Sequence, residues 1–409
     1  MEKPKIRPVE VFPIEHQEQT LICLRDPGGM APEPVMLGMA AYFLITLFDG
    51  GHDVIDLQAA FTKRYGEIIP AEKIQELITA LDNSYFLDSP KFAERVRQVR
   101  DEFDLNPERP AIHAGLCYER DPAGARDEIR RFLEPPAGPG TAATSGNGAP
   151  LKGLIAPHID PRRGGAAYAH AYAELVRREP PELVVILGTS HYGMGPELFS
   201  ATRKNYATPL GALETDRGFV ERLAARYTAG DLFADELLHR SEHSIEFQAL
   251  FLAWALGARR YTVAPILVSS FHELVIGGAA PASDRRVGAF VDALRHELEA
   301  DGRRALIVAG VDFAHVGKKF GDDFSVDDSV VEWVRRDDLA LIETITRGDP
   351  DGFFAAIAKD CDRRRICGMA PIYTQLELLR GRPSRLLKYD IALEPQTGSA
   401  VTFASLAIE

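Results

Sequence analysis

Apolar runs alternate with stretches of helical spacing over most of the chain from residue 153 onward. The clearest run, at 184–187, holds four branched apolar residues without a polar break, and the runs at 261–268 and 305–308 are similar. Such runs are typical of strands that are buried on both faces in the middle of a parallel sheet. Their alternation with helices predicts an α/β domain whose sheet is largely parallel.

Polar residues that can bind a metal follow these runs. His158 and His191 each end a predicted strand, Asp312 and His315 follow the run at 305–308, and Cys367 is predicted to stand at another strand-end glycine turn. Because the carboxyl ends of parallel strands meet at one edge of a sheet, we expect these side chains to lie close together. Two imidazoles with a thiolate or carboxylate suit a redox-active or zinc-like ion. Taken singly, each residue has a plainer interpretation, as a hydrogen-bonded turn residue or, for Cys367, as a small buried hydrophobe.

The densest polar cluster of the chain lies at residues 239–246. On a helix that begins at Ser241 or Glu242, His243 and Glu246 lie one turn apart and share a face. These groups either cap the start of the helix or contact substrate and metal ligands at the mouth of a site. Their spacing is not the His-Glu-x-x-His signature of zinc proteases.

The first 105 residues are predicted to form a separate module. A short strand at 20–24 is followed by helices over 34–48, from Asp53 and from Pro70, an order that suggests a winged-helix unit. The third helix carries three acidic residues and a single lysine, so it is unsuited to lie against phosphates. A helical packing module without a ligand is the alternative.

Composition narrows the function classes further. The 409 residues carry a formal net charge of -13, which argues against general nucleic-acid binding. Four cysteines in so long a chain form no disulfide framework, which favours a reducing cytoplasm. Apolar runs stay well short of the roughly 20 residues of a membrane span, and the first residues lack a signal core. The segment 135–150, rich in Gly, Ala, Pro, Thr and Ser, is expected to be a mobile loop.

Five motifs stand in order along the larger part of the chain. They are Ala156-Pro157-His158, Gly188-Thr189-Ser190-His191, Glu242-His243-Ser244-Ile245-Glu246, Asp312-Phe313-Ala314-His315 and Ile366-Cys367-Gly368. With these motifs, the chain from about residue 109 onward resembles the MEMO-like family, also called AmmeMemoRadiSam system protein B. The resemblance implies a three-layer domain similar to class III extradiol dioxygenases. It places the metal ligands on His158, His191 and Cys367, and it implies catalytic roles for Asp312, His315 and His243.

Three features separate this chain from the usual family pattern. Ile159 and Asp160 follow His158 where the family usually has Ala-Gly, Met369 follows Gly368 where a basic residue is usual, and Glu119 follows Tyr118 where proline is usual. The second difference changes the charge of the site, so a substrate cannot be carried over from the family.

The N-terminal module carries a second resemblance. Its helix at 39–48, Asp49-Gly50, the helix that contains Leu57 and the segment 77–87 resemble the PqqD-like winged-helix domains that bind peptides. We therefore expect residues 1–105 to form a PqqD-like domain with a linking helix, and residues 106–409 to form the MEMO-like domain. The resemblance implies a peptide or protein partner for the N-terminal domain.

These expectations lead to a principal hypothesis and two alternatives. The first is an oxidoreductase resembling the dioxygenases, which uses one transition metal ion, Fe(II) or Cu(I) in preference to Zn(II), on a small-molecule or peptide substrate. The second is a non-catalytic adaptor that binds a metal and a peptide. The third is a cysteine hydrolase with Cys367 as its nucleophile and no metal. All three place the protein in the cytoplasm, without a nucleic-acid or membrane partner.

Overall fold

The structure is a computed structural model that describes residues 2–16, 19–26, 28–140, 148–193 and 195–409. Within the predicted mobile loop at 135–150, residues 141–147 lie outside the described residues. The chain divides into two compact units, Met1–Asn106 and Pro107–Glu409.

The N-terminal unit combines a small antiparallel sheet with helices that follow it. The strands β1 (Glu10–His16), β2 (Gln19–Arg25) and β3 (Val35–Leu37) pair in the order β1-β2-β3. The helices are α1 (Met39–Ile45), α2 (Val54–Tyr65), α3 (Ala71–Asn83) and α4 (Pro90–Leu105). Their inner faces enclose a core that includes Leu24, Leu57, Ile74, Ile78 and Phe86.

The prediction of a helix at 34–48 is wrong for the first residues of that stretch. Residues Val35–Leu37 form a strand that pairs with β2, and the helix begins only after Gly38. Leu37 is buried while Met36 is exposed, so this stretch follows the alternation of a strand. The helix predicted from Asp53 is present as α2, and Asp53 caps it, because its carboxylate accepts the N–H groups of Ile55 and Asp56.

The larger unit is built from alternating strands and helices. Its strands are β4 (Glu108–Arg109), β5 (Gly153–Ala156), β6 (Leu183–Thr189), β7 (Phe199–Ala201), β8 (Asn205–Tyr206), β9 (Thr262–Val268), β10 (Ala305–Gly310), β11 (His315–Gly317), β12 (Ser384–Glu394) and β13 (Ser399–Ile408). Its α-helices are α5 (Pro122–Phe132), α6 (Pro161–Val176), α7 (Arg217–Arg226), α8 (Ser244–Leu256), α9 (His272–Gly277), α10 (Arg285–Asp301), α11 (Asp328–Thr346), α12 (Pro350–Ala358) and α13 (Met369–Leu378). Short 3-10 helices lie at Glu236–Arg240, Pro281–Ser283 and Lys318–Phe320.

The main sheet has a parallel centre and antiparallel edges. Its order is β11-β13-β5-β10-β6-β9-β7, and β12 pairs with β13. The central strands β5, β10, β6 and β9 run parallel, whereas β7, β11, β12 and β13 pair antiparallel to their neighbours. The predicted α/β class is therefore confirmed, with the parallel arrangement in the middle of the sheet.

Both faces of the central strands are buried. Along β6, Val185 and Leu187 belong to one hydrophobic core, and Val184 and Ile186 belong to the core on the opposite face. This two-sided burial explains the unbroken apolar run, since a strand with one wet face would alternate with polar residues. Each such side chain contributes about 1.5–3 kcal/mol to folding when fully buried.

Three neighbouring strands end at the same level of the sheet. Ala156 of β5 is in register with Gly310 of β10, and Gly310 is in register with Gly188 of β6. The two glycines admit the first turn of α8, because an added Cβ would lie 2.5 Å from Ile245 at Gly188 and 2.8 Å from the Ser244 carbonyl oxygen at Gly310. The ends of these strands and the start of α8 therefore meet at one place.

The outermost strand of the main sheet, β12, is long and irregular. It pairs with β13 over Ser384–Glu394, with a register shift between Leu386 and Lys388. Lys388 lies 3.6 Å from the carboxylate of Asp390 on the same strand. The strand thus combines a bulge-like irregularity with side chains of opposite charge.

Among the helices of the described residues, none is both long enough and apolar enough to cross a bilayer.

Candidate metal centre

Residues from three separate segments meet at the ends of β5, β6 and β10. One ligand atom from each of His158, His191 and Cys367 can be chosen so that all three atoms lie within 4.8 Å of one another. The Cys367 Sγ lies 3.3 Å from Nε2 of His158, and the rings of His158 and His191 have centroids 4.9 Å apart. The structure therefore brings together the three residues that the sequence predicts as metal ligands.

His158 follows β5 and is almost fully buried. Its Nδ1 lies 3.1 Å from the carbonyl oxygen of Gly310, so this nitrogen carries the N–H and Nε2 carries the lone pair. Its backbone N–H donates to Oδ1 of Asp312 at 3.0 Å. Burial, with His191 and His243 nearby, lowers the pKa of His158 well below its usual value. The ring is thus neutral and oriented.

His191 is oriented by Glu242, which the sequence analysis did not single out as a site residue. The two carboxylate oxygens of Glu242 accept the backbone N–H of His191 at 2.9 Å and contact its Nδ1 at 3.0 Å. Glu242 also accepts the N–H groups of His243 and Ser244 at 2.8 and 3.2 Å. Burial opposes ionisation of Glu242, but His191 and His243 outweigh it and hold its pKa well below the usual range. This buried carboxylate fixes the start of α8 against the end of β6.

Cys367 reaches the site from a turn between α12 and α13, so the strand end predicted there is wrong. Ile366 on one side is buried in the core, and Gly368 on the other donates its N–H to the carbonyl oxygen of Asp312 at 3.1 Å. The thiol lies 3.6 Å from the same oxygen. Burial and the nearby carboxylate of Asp312 raise the pKa of Cys367 well above its usual value.

Asp312 lies directly beside His158, as the sequence predicts. Its Oδ1 accepts the backbone N–H groups of His158 and Ile159 at 3.0 and 3.2 Å, and its Oδ2 lies 3.7 Å from Nε2 of His158. Burial raises the pKa of Asp312 to about 7, although the two N–H groups act in the opposite direction. This carboxyl group can therefore hold or release a proton next to the candidate ligands.

His243 is the residue that precedes the first turn of α8 rather than a residue within it. Its ring stacks on that of His191, with centroids 4.8 Å apart and an interplanar angle of 18°, and it lies 5.3 Å from the ring of His158. Nδ1 of His243 lies 3.1 Å from Glu242, whereas desolvation in the cleft lowers the pKa of His243. A quarter of the side chain is exposed, so His243 lines the opening of the site.

His315 begins β11, on the side of the site formed by the antiparallel strands. Its Nδ1 lies 3.1 Å from the carbonyl oxygen of Phe313 and 3.2 Å from that of Arg365, and its ring packs against Phe320. Burial lowers the pKa of His315 to about 4, and its charge would in turn disfavour protonation of His158. His315 is thus near the ligands, but its Nδ1 faces backbone oxygens.

A second glutamate repeats the arrangement of Glu242 one helical turn further along. Glu246 accepts the backbone N–H of His113 at 3.0 Å and contacts its Nδ1 at 2.8 Å. The fully buried Arg109 pairs with Glu246, and its Nη2 donates to the Glu242 carbonyl oxygen at 2.8 Å. The ring of His113 lies 5.9 Å from that of His243, which adds a further oriented imidazole to the opening.

His113 and Arg109 are parts of this site that the sequence motifs do not predict. Both lie at the start of the larger unit, far from the other motifs along the chain, and reach α8 only in the folded structure. The glutamate at 246 was the available signal, since a buried carboxylate requires partners that can donate hydrogen bonds or carry positive charge.

The arrangement as a whole suits a bound cation. Two imidazoles with lone pairs at Nε2 and a thiol converge, and the buried carboxylates of Asp312 and Glu242 border them. Nitrogen and sulfur donors of this kind are preferred by transition metals over Mg²⁺ or Ca²⁺. The same position can also hold an ordinary Cys–His hydrogen bond, because Sγ and Nε2 are 3.3 Å apart.

Comparison with known proteins matches this unit to one family. The family model described as Memo-like protein covers residues 109–407. A MEMO1 family protein of Aquifex aeolicus is 31% identical over 407 residues, which span 99% of both chains. A MEMO1 family protein of Thermus thermophilus is 30% identical over 88% of this chain and 99% of its own. The memo-1 homolog of Caenorhabditis elegans is 32% identical over 66% of this chain and 70% of its own. On this match, the chain belongs to the Memo-like protein family.

Proposed function

We propose that the protein binds one transition metal ion through His158, His191 and Cys367 and acts as a metal-dependent oxidoreductase. The observation that carries this proposal is the convergence of three ligand atoms within 4.8 Å from three segments far apart in the chain. In both imidazoles the Nδ1 atom faces an oxygen, Gly310 O or Glu242 Oε1, which directs the lone pair to Nε2. A thiolate beside two such rings is a donor set of intermediate to soft character.

Fe(II) or Cu(I) is proposed as the native ion in preference to Zn(II), because zinc has no redox chemistry to supply. Structural zinc sites usually have four protein ligands, whereas three ligands with an open position also occur at catalytic zinc sites, so the ligand number excludes only a structural zinc site. Three ligands leave coordination positions for a substrate, and a cysteine thiolate suits copper(I) in particular. When bound, a redox-active ion supplies electron transfer to or from the substrate.

The surrounding side chains are suited to bind substrate and to move protons. His243 lines the opening, with its Nδ1 held by Glu242, so its Nε2 is the atom that can accept or deliver a proton. Asp312 holds a proton at a pKa of about 7 beside His158. The Nδ1 of His315 faces the carbonyl oxygens of Phe313 and Arg365, so its Nε2 is the atom that can accept or deliver a proton. These residues are the proposed catalytic groups.

A cysteine hydrolase remains the second candidate because the Cys367 thiol lies 3.3 Å from a histidine nitrogen. Such an enzyme requires a thiolate that is activated by its histidine or by positive charge. Here the half-buried thiol lies next to Asp312, desolvation and this carboxylate raise the pKa of the thiol, and the pKa of His158 is lowered. Both directions oppose a thiolate–imidazolium pair, so the metal-dependent function is favoured.

The N-terminal unit is proposed to bind a peptide or protein partner in the manner of PqqD-like domains. Its small sheet presents the exposed apolar side chains of Val11, Phe12 and Met36. The outer strands β1 and β3 each have one neighbouring strand in this sheet, which leaves an edge where an extended peptide can pair. If the larger unit binds metal without turnover, the protein is an adaptor that combines the two binding functions.

Metal content tests the ligand assignment directly. Full-length protein is purified without oxygen, stripped with a chelator and titrated separately with Fe(II), Cu(I) and Zn(II), and bound metal is measured. We expect one ion per chain in the wild type and its loss in His191→Ala and Cys367→Ser. Glu273→Gln, an exposed change on α9, is the control. Wild-type stoichiometry in both ligand variants would contradict the assignment.

Dioxygen uptake with ascorbate as the reductant separates an oxidoreductase from an adaptor. The iron- or copper-loaded protein is expected to consume dioxygen faster than the same concentration of free ion, and a chelator and the His191→Ala change should both abolish the difference. A wild type that holds its ion but shows no uptake above the free ion would favour the adaptor. Uptake that persists in His191→Ala would contradict catalysis at this site.

A further inference from the structure

The turn that carries Cys367 has an unusual backbone. Among the described residues other than glycine, positive φ angles occur at Tyr85, Cys361, Asp362 and Arg365. Three of these lie within the seven residues that end at Cys367. Side chains with a Cβ disfavour this left-handed region, and residues held there against their preference concentrate at functional sites. The conformation therefore requires an explanation from its contacts.

The first two angles are accounted for by the end of α12. The N–H of Cys361 donates to Ala358 O and the N–H of Asp362 donates to Ile357 O, which satisfies carbonyl groups of the last helical turn. Arg365, with a φ of 51°, lies beyond this helix end. Its N–H donates to Asp362 O at 2.8 Å, and the N–H of Ile366 donates to Oδ1 of Asp362 at 2.8 Å, so Asp362 holds part of this turn.

The guanidinium of Arg365 adds contacts that join this turn to a second segment. It donates to both carboxylate oxygens of Asp322, at 2.8 and 3.2 Å, and to the carbonyl oxygen of His315 at 3.2 Å. Asp322 in turn accepts the N–H of Gly317 at 2.8 Å. The pair thus joins the turn before Cys367 to strand β11, which begins at His315.

The backbone of the same turn also contacts His315. The carbonyl oxygen of Arg364 accepts the N–H of His315 at 2.7 Å, and that of Arg365 lies 3.2 Å from its Nδ1. A displacement of Arg365 would therefore move the thiol and the imidazole together. Neither Arg365 nor Asp322 is among the grouped donor residues, so they would act only through their neighbours.

We propose that Arg365 and Asp322 are positioning residues that hold the Cys367 thiol and the His315 ring in their places within the site. The Arg365 side chain is 40% exposed, so the pair adds little to global stability. Its effect is local, because it keeps a turn with an unfavourable φ angle from relaxing. The functional meaning of this role rests on the proposed function of Cys367 as a metal ligand.

The test uses full-length protein and three substitutions. Arg365→Lys keeps the charge but loses the bidentate geometry of the guanidinium, and Asp322→Asn keeps the shape of the side chain but loses its charge. Arg365→Gly removes the side chain and relieves the backbone strain. The matched control is Arg347→Lys, which weakens an exposed ion pair with Glu343 on another surface.

Two measurements report on the position of the thiol. In the metal-free protein, iodoacetamide labelling is followed for each cysteine peptide by mass spectrometry, with Cys117 as the internal reference. In the second measurement, the protein is titrated with cobalt(II). The absorbance of the thiolate-to-cobalt charge-transfer band then gives the affinity of the site for the ion. We expect all three variants to label Cys367 several-fold faster and to bind cobalt(II) about tenfold more weakly, with Tm within about 3 °C of the wild type. The control should change neither.

Unchanged labelling and cobalt affinity in Arg365→Lys and Asp322→Asn would overturn the proposal. So would wild-type behaviour of Arg365→Gly, because the backbone alone would then set the thiol. A loss of affinity that only parallels a large fall in Tm would show a structural role and also overturn it. If the wild type binds no cobalt(II), the proposed metal function fails, while the labelling comparison still decides whether the pair positions Cys367.

Discussion

The N–H of Gly368 donates to the carbonyl oxygen of Asp312 at 3.1 Å, and a Cβ added at Gly368 would lie 2.6 Å from that same oxygen. The turn after Cys367 and the end of β10 therefore touch backbone to backbone. The atoms that such a Cβ would meet first are the backbone oxygen of Asp312 and the Cβ of Val311. Neither is the end of a flexible side chain, so neither can move aside easily. This contact sets the distance between the thiol and the carboxylate segment.

Gly368→Ala should separate these two segments. We expect a loss of about 1–3 kcal/mol in the free energy of unfolding, as for other overpacked buried sites, together with weaker metal binding. Urea unfolding and metal titration measure the two effects. The control is Gly288→Ala on α10, where the nearest atom to an added Cβ is 3.7 Å away and where alanine should stabilise the helix by about 0.5–1 kcal/mol. Equal stabilities of the two variants would contradict the packing interpretation.

Glu242→Gln should disturb the site more than its small change in shape suggests. The carboxylate accepts N–H groups of His191, His243 and Ser244, whereas an amide turns one acceptor oxygen into a donor that faces other donors. We expect the free energy of unfolding to fall by about 1–3 kcal/mol and the metal to bind about 10–100-fold more weakly. Calorimetric metal titration checks this, with the exposed Glu273→Gln as the control. Undiminished affinity would show that Glu242 does not orient His191.

Two substitutions at Asp312 should separate its structural part from its part in the site. Asp312→Asn keeps an oxygen for the N–H groups of His158 and Ile159, so Tm is expected to stay within about 3 °C while metal affinity or turnover changes. Asp312→Ala leaves both backbone N–H groups without this acceptor and should lower the free energy of unfolding by about 1–3 kcal/mol. Full activity and metal binding in the asparagine variant would assign Asp312 a purely structural role.

His315→Ala should leave the fold largely intact and impair the site. The hydrogen bond from its backbone N–H to Arg364 O survives the change, and only the ring contacts are lost. We expect Tm within about 3 °C of the wild type and reduced dioxygen uptake at unchanged metal stoichiometry. A variant that unfolds, or one that turns over normally, would remove His315 from the catalytic groups.

A buried histidine away from the ligands should make stability depend on pH. His239 lies between the Tyr206 hydroxyl and the Ser200 carbonyl oxygen, and burial lowers its pKa from 6.5 to about 3. In the unfolded chain this ring takes up a proton near pH 6.5, so its contribution is complete above that pH and is lost as the pH falls toward 3.

We therefore expect the wild type to lose stability in this window more steeply than His239→Gln, which lacks the titrating ring. The difference in slope is at most about 1.4 kcal/mol per pH unit for one proton. Urea unfolding at several pH values between about 4 and 7 gives both slopes. Identical slopes would mean that His239 is protonated in the folded state or does not titrate on unfolding.

The fold of the larger unit was largely predictable because its signals are local. Unbroken apolar runs such as 184–187 predict strands buried on both faces, and β6 is such a strand. The start of α1 could not be found in this way, because 34–48 is apolar throughout and the pairing of Val35–Leu37 with β2 depends on a contact outside that stretch. The antiparallel edges were missed for the same reason, since strand direction follows from the path of the connections.

The site was predictable where its residues follow strands. His158, His191 and Asp312 each come directly after a central strand, and the register of β5, β10 and β6 brings them together. Cys367 follows no strand, and its place is set by backbone contacts with the Asp312 segment. Glu246 signals a need for donors, but only the folded chain shows that His113 and Arg109 supply them.

The irregular outer strand β12 affects how copies of this chain can meet. An incoming strand needs a regular row of backbone donors and acceptors, and the register shift near Leu386 interrupts that row. Lys388 and Asp390 add charges that a neighbouring chain would have to accommodate. Edge-to-edge pairing of β12 with a strand of another molecule is therefore disfavoured. We expect the protein to resist fibre formation through this edge of the sheet, even at high concentration.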